Sequence, residues 1–527
     1  MVRNKEATKG IVNTHLKSAK IRSNTKNNTL FNIDARWLFW LVVAMIAAFY
    51  ILTLRPGHYW VGDDLQYIRH AINLIEGKPY IDPLYINNAL ASVAPSAYPP
   101  IFPLILFVIY AIFGLNFAAM KVVLIGFFIG ALVVLKAIFK QRISAITTLC
   151  LILFLGLNPE FWDFKDRILS EFPFLFFSLT ALYLMQRNDS NQTYSSAAML
   201  SLLMYLSYGI REIALILPLT LITYELWHYR KLTTHSMFAI SLFTLLVLAQ
   251  RYFFVFDPTH FEFDQQLDLL IEAGATPPTT FSYINLDPEN IIKQGQRYFW
   301  SIYRFLQLRH LPFSGYFYLF VNIFVLTGYI TVLIEKIRFT EIYVAGYLCA
   351  LLLFAGFDGF RYLLPILPFY IFYLFVGILK LISFNHLLKK TALTGLLLMF
   401  VYANSLCFSD KESTFLGPNT LSTKNDQLFS YVSNNTLPTD TFVARDPRIL
   451  AFFTRRHAST YPTSKSNPEE FMKYLRVINT NYLIAVPRPY EPSYNKIFDL
   501  LLEKYPDELQ LVFDNDTFRV YYLTNNK

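Results

Sequence analysis

Residues 37–54 read WLFWLVVAMIAAFYILTL, an apolar run without a single charged side chain. A helix of that length crosses the roughly 30 Å hydrocarbon core of a bilayer. Residues 1–36 before it are polar and basic: Arg3, Lys5, Lys9, Lys17, Lys20, Arg22, Lys26 and Arg36 stand against only Glu6 and Asp34. Such a cationic flank keeps an N-terminus in the cytoplasm. No small-residue processing site stands out after the run, so it reads as a retained span rather than a cleaved leader.

Further apolar runs follow at 98–115, 119–138, 143–158, 171–186, 195–208, 212–228, 236–256, 314–334, 341–356, 361–382 and 391–408. The whole chain of 527 residues is 54% hydrophobic and 16% charged. An ordinary soluble domain carries about 25% charge, so this chain lacks the polar material to coat several such domains or to stay disordered. Aromatics at 17% suit rings that fill a bilayer and mark its interfaces. Cys150, Cys349 and Cys407 are far apart in apolar runs, which indicates neither a disulfide framework nor a thiolate metal site. The class is a polytopic, all-α membrane protein.

Charge placement orients it. Basic clusters lie at Lys136/Lys140/Arg142, His228/Arg230/Lys231, Lys336/Arg338 and Lys389/Lys390. If every run spans, these clusters fall outside. Withholding 98–115, which opens Tyr98-Pro99-Pro100 with Pro103 close behind, brings them all inside. That run then reads as a juxtamembrane or re-entrant helix. The expectation is about eleven spans within 37–408, a basic cytoplasmic arm at 1–36, and a C-terminus outside. Segments 55–118, 159–170, 209–211, 257–313, 357–361 and everything after 408 then share the outer face.

From 409 to 527 the composition becomes that of a small α/β domain, expected outside the cytoplasm. Helical patterns at 425–433, 468–478 and 494–505 alternate with strand patterns at 441–444, 482–486, 509–513 and 518–523.

The candidate chemistry lies on the outer face. Gly62-Asp63-Asp64-Leu65-Gln66-Tyr67 opens a helix with Leu65, Ile68, Ile72 and Ile75 at helical spacing, closed by Glu76-Gly77-Lys78-Pro79. It reads as an amphipathic helix on the outer leaflet. Adjacent carboxylates diverge on a helix, so one can cap the first turn while the other faces a cavity as a general base. The bland alternative is that both merely cap. In 159–170, Lys165 and Arg167 could be snorkelling interfacial charges. Glu171 sits just inside a span, where a carboxylate is costly unless it faces a polar cavity. Arg211 and Glu212 interrupt an apolar stretch and could pair with each other. Arg361 opens Arg361-Tyr362-Leu363-Leu364-Pro365. Cations gathered there suit an anionic head group whose charge grows during reaction. Phosphate-loop, zinc-hydrolase and nucleophile-elbow motifs are missing from the sequence, and the nine His show no persuasive metal spacing. No basic, aromatic-interleaved strip suits nucleic acid.

At these residues the sequence resembles the GT-C-fold polytopic glycosyltransferases that take sugars from polyprenyl-phosphate carriers, nearest to the aminoarabinose transferase and protein O-mannosyltransferase branch. That family's first outer loop has an Asp-Glu pair, a Tyr and a Glu-x-Gly turn, matched loosely by Asp63, Asp64, Tyr67, Glu76 and Gly77. Tyr98-Pro99-Pro100 matches its juxtamembrane helix start, and Ser170-Glu171 its second-loop acidic motif. Arg211 matches the Arg before a short apolar span, and Arg361, Tyr362 and Pro365 match its late Arg-Tyr-x-x-Pro. Asp64 departs from the usual Glu, and Tyr98 stands where the lipid-A-modifying branch has Lys.

The resemblance implies transfer of a hexosyl or pentosyl group, with inversion, to a lipid, glycan or protein acceptor at the outer face of a bacterial inner (cell) membrane. Asp63, ahead of Asp64, would be the base, with Glu171 shaping the site. Arg211 and Arg361, joined by Lys165 or Arg167, would hold the phosphate, beside Tyr67, Tyr98 and Tyr362. It implies no certain cofactor and leaves a divalent metal open. The rival reading is a transporter or flippase for a lipid-linked cargo. Charges gathered at one rim, and no visible internal repeat, count against it. A binding or scaffolding protein of the same fold is a third.

Overall fold

The computed structural model describes residues 35–55, 62–81, 84–86, 98–188, 193–254, 286–308, 313–354, 357, 359–381, 386–409, 423–462, 467–486 and 492–524. The basic arm at 1–34 and residues 257–285 of the long expected loop lie outside the described residues.

Each apolar run becomes a helix. In chain order they are α1 (Ala35–Leu52), α2 (Asp63–Ile75), α3 (Ile101–Phe113), α4 (Phe117–Phe139), α5 (Ala145–Gly156), α6 (Pro159–Phe164), α7 (Glu171–Asn188) and α8 (Tyr194–Tyr208). They continue with α9 (Ile216–Tyr229), α10 (Thr234–Phe253), α11 (Pro288–Phe305), α12 (Ser314–Glu335), α13 (Phe339–Leu353), α14 (Leu367–Leu381) and α15 (His386–Ser409). Among the described residues α4, α10 and α12 are long and apolar enough to cross a membrane, while α3, α5, α13, α14 and residues 37–52 of α1 are shorter apolar helices. The runs expected at 212–228 and 361–382 each open with a 3-10 turn instead, Glu212–Leu215 and Gly359–Leu363.

The helices pack on one apolar core, yet Phe320, Ile323, Leu326, Ile330 and Ile334 of α12 remain exposed. A continuous apolar stripe of this kind needs a non-aqueous neighbour. On its other side α12 crosses α14 at two glycines. A Cβ on Gly328 would sit 1.9 Å from the Tyr373 carbonyl oxygen, and one on Gly377 would sit 1.9 Å from that of Phe324. Small residues of this kind let helix backbones meet inside a bilayer, where apolar burial alone gives little attraction.

The C-terminal α/β unit adds α16 (Thr423–Asn435), α17 (Pro447–Thr454), α18 (Pro468–Val477) and α19 (Pro492–Lys504). Its strands are β2 (Thr441–Val443), β3 (His457–Ser459), β4 (Tyr482–Ala485), β5 (Leu509–Asp514) and β6 (Arg519–Leu523). All seven expected elements are present; α17 and β3 are additional, and both are too short to carry a clear period. The sheet order is β1-β3-β2-β4-β6-β5, parallel from β1 to β4 and antiparallel beyond. Strand β1 (Tyr85–Ile86) comes from the segment after α2, with Tyr85 opposite Ala458 and Ile86 opposite Ser459. The α/β unit is thereby sewn to the helical part by backbone hydrogen bonds.

Helix α2 differs from a helix lying on a leaflet. Residues Asp64–Ile68 and His70–Asn73 are buried. Tyr67 meets Phe102 of α3 edge to face at 4.7 Å, and the Arg69 guanidinium lies 4.8 Å over Phe452 of α17. Both faces are covered by protein, one by α3 and one by the α/β unit.

Candidate functional site

Three local features position the site at the sheet end of the helices. Gly62 takes φ +91°, a conformation that favours glycine, and so turns the chain sharply into α2. Asp64 then faces back: its Oδ1 accepts from the Gly62 and Leu65 amides at 3.1 and 2.9 Å, and it is fully buried. Asp63 points the other way. The start of α3 is fixed by the Ile101 amide donating to the Gly209 carbonyl at 2.8 Å, where a Cβ on residue 209 would strike Ile101 Cγ1 at 2.3 Å. This brings Tyr98 and Arg211 alongside α2.

Asp63 and Glu171 lie in one chain of alternating charge. Arg361 Nη1 donates to Asp63 Oδ2 at 3.2 Å, and Arg361 Nε donates to Glu171 Oε1 at 2.7 Å. Arg211 Nη1 reaches the same Glu171 oxygen at 3.2 Å. On the far side, Tyr98 Oη donates to Asp63 Oδ1 at 2.7 Å, and Arg448 Nη1 reaches that oxygen at 3.2 Å. Side-chain exposure is 1% for Glu171, 7% for Arg361 and 6% for Arg448, against 23% for Asp63. The carboxylate with the most access to a ligand is therefore Asp63. Among the described residues, three guanidiniums meet two carboxylates in this chain, and Asp63 and Glu171 each touch two of them.

Aromatic rings frame the chain. Tyr67 and Tyr98 lie 4.4 Å apart, Tyr67 Oη and Ser170 Oγ share a hydrogen bond at 3.3 Å, and the Arg211 guanidinium lies 5.4 Å from the centre of the Tyr362 ring. Burial, with the Asp63 carboxylate beside it, pushes the Tyr98 phenol well above its ordinary range, so it remains a donor to Asp63. One helical turn beyond Tyr67, His70 stacks on Tyr80 at 4.3 Å, and among the described residues neither ring nitrogen has a hydrogen-bond partner. Burial, then the Arg448 charge, lowers His70 to about 3, so it is neutral.

The expected site residues thus divide. Asp63, Glu171, Arg211, Arg361, Tyr98 and, through ring contacts, Tyr67 and Tyr362 come together. Asp64 is a turn-stabilising residue. Lys165 pairs with Asp166, and Arg167 Nη2 donates to Asp163 at 2.7 Å. These belong to a second cluster that includes Arg55 and Lys121, whose Nζ donates to the Arg55 carbonyl at 3.1 Å. Arg211 does not pair with Glu212: Glu212 meets Arg251 at 3.4 Å instead. Sequence reasoning missed Arg448, Tyr85 and His70. Among the described residues no three His, Cys, Asp or Glu side chains form a metal ligand set, and Asp63 and Glu171 already hold guanidiniums.

No family model matches the sequence, and no curated protein is significantly similar to it. Solved structures do share its fold. ArnT from Cupriavidus metallidurans, solved bound to undecaprenyl phosphate, is similar over 93% of this chain and 98% of its own, with TM-score 0.54 and 12% identity. The archaeal oligosaccharyltransferase AglB from Archaeoglobus fulgidus, solved with an inhibitory peptide and a dolichol-phosphate, is similar over 93% of this chain and 74% of its own (TM-score 0.52, 10% identity). The arabinofuranosyltransferase AftD from Mycobacteria is similar over 92% of this chain and 41% of its own (TM-score 0.53, 12% identity). The fold is that of the GT-C glycosyltransferases.

Proposed function

We propose that the chain is an integral membrane glycosyltransferase that moves one sugar from a polyprenyl phosphate to a lipid, glycan or protein acceptor at the outer face of the membrane. The observation that carries the reading is the largely buried chain Arg448–Asp63–Arg361–Glu171–Arg211, which sets three guanidiniums around the accessible carboxylate Asp63 and its neighbour. A polyprenyl-phosphate sugar is a phosphodiester bearing one negative charge, the chemistry that clustered guanidiniums bind.

Asp63 removes the proton from the acceptor hydroxyl as that oxygen attacks the anomeric carbon, while the bond from that carbon to the phosphate oxygen breaks. Asp63 becomes neutral and the leaving polyprenyl phosphate gains one negative charge. Arg361 touches Asp63 directly, so as the carboxylate loses its charge this guanidinium turns toward the charge growing on phosphate. Arg211 adds to the same pole, and Glu171 holds both cations in place. Attack opposite the phosphate inverts the anomeric carbon. Lys165 and Arg167 pair with Asp166 and Asp163 in the separate cluster, so the leaving charge falls to the cations joined to Asp63 and Glu171, Arg361 and Arg211. In the membrane the chain has about eleven spans by the length and charge rules, with 409–527 outside.

The test is transfer by purified protein in liposomes, with a panel of labelled polyprenyl-phosphate sugars and envelope extracts as acceptors. Transfer is expected, and is expected to vanish in Asp63→Asn and Glu171→Gln proteins that remain folded. Near-normal transfer by both Asp63→Asn and Asp64→Asn would defeat the mechanism. For topology, a cysteine at exposed Leu437 should react with an impermeant reagent on intact spheroplasts; reaction only after lysis would defeat the orientation.

A further inference from the structure

Arg448 reaches the site from the α/β unit. It lies in the first turn of α17, buried, with its guanidinium carbon 4.6 Å from the centre of the Tyr85 ring and 6.0 Å from that of Tyr98. One nitrogen, Nη1, holds Asp63. Among the described residues the other two, Nε and Nη2, have no hydrogen-bond partner although they are buried. These two N–H groups form the side edge of a guanidinium, the fork whose spacing matches two oxygens of one phosphate or carboxylate. The position is fixed from both directions, by β1 pairing with β3 and by the ring of Tyr85 on β1 itself.

Arg448 is the guanidinium that the α/β unit brings to Asp63 of α2, and its unused edge lies beside that carboxylate.

We infer that Arg448 is a substrate-binding residue lent by the α/β unit, and that its Nε–Nη2 edge grips the phosphate oxygens of the lipid-linked donor while Nη1 holds Asp63. This rests on the proposed reading that the donor is a polyprenyl phosphate. No bond is made or broken at Arg448; it ties the phosphate and the base to one rigid plane.

The experiment measures binding of undecaprenyl phosphate to the full chain in detergent, by ligand titration, alongside the melting temperature. Four proteins are compared: wild type, Arg448→Gln, Arg448→Lys and Arg445→Gln, the last removing a more exposed cation at the same end of α17. Arg448→Gln should weaken affinity about tenfold or more. Arg448→Lys, a point charge without the fork, should fall between it and wild type, and Arg445→Gln should match wild type. If Arg448→Gln does not fold, Arg448→Lys carries the test: wild-type affinity in it overturns the fork. Wild-type affinity in a folded Arg448→Gln overturns the inference and leaves the donor reading standing. A wild type that binds no undecaprenyl phosphate overturns both.

Discussion

The two ends of α17 hold buried arginines in opposite states. Just past its C-terminal end, Arg456 spends every nitrogen inside its own unit: Nε on the Thr436 hydroxyl at 3.1 Å, Nη1 on the Thr454 carbonyl at 3.0 Å, and Nη2 on the Ser433 and Thr436 carbonyls at 3.1 and 2.8 Å. At its N-terminal end, Arg448 spends one nitrogen on a carboxylate of another part of the protein and keeps two in reserve. Both are less than a tenth exposed. Burial alone therefore does not mark a functional charge. What separates the two is whether the surrounding fold already uses the donors. Arg456 closes structure with neutral partners; Arg448 keeps two donors that no other described residue takes.

Four measurements can break or sharpen that contrast. The largest effect is expected at the carboxylate Arg448 holds: Asp63→Asn should lower transfer on the order of 10³-fold with little change in melting, as for loss of a general base. Next, Arg456→Met should leave carbonyls of Ser433, Thr436 and Thr454 short of a donor and destabilise the α/β unit by about 3 kcal/mol, while protein still folded binds donor normally. Loss of donor binding without loss of stability would erase the distinction.

Third, His70 separates site from stability through pH. Its folded value, about 3, lies below the ordinary 6.5, so the unfolded chain takes the proton first. Its contribution is complete above pH 6.5 and drains away as pH falls toward 3. Between pH 7.5 and 5 the wild type should lose about 2 kcal/mol that His70→Phe retains; equal slopes would mean that His70 is hydrated. The smallest effect is Tyr98→Phe, which removes the phenol donor from Asp63 at 2.7 Å. A three- to tenfold fall in kcat/KM is expected, at roughly 1 kcal/mol for a hydrogen bond.

Much of this site was legible before any coordinates. Asp63, Glu171, Arg211 and Arg361 interrupt or border apolar runs, and a charge in such a place is costly enough to stand out. The helices were legible for the related reason that hydropathy is a local signal. Arg448 was not, because it sits in a polar stretch beside Arg445, Arg455 and Arg456, where one more cation is ordinary. Its partner lies 385 residues away. Strand β1 is two residues long and acquires meaning only from β3, and the division of labour between Asp63 and Asp64 depends on the turn at Gly62. Pairing across such separations is a property of the tertiary fold, which no window along the chain contains.

The seam between β1 and β3 also sets an order of manufacture. Asp63 and its helix leave the ribosome early, but the strand that anchors their flank and the arginine that pairs with Asp63 arrive with residues 448–459. Until then β1 lacks the strand it pairs with, so a chain stopped before α17 could insert all of its apolar helices and still hold an unfinished site.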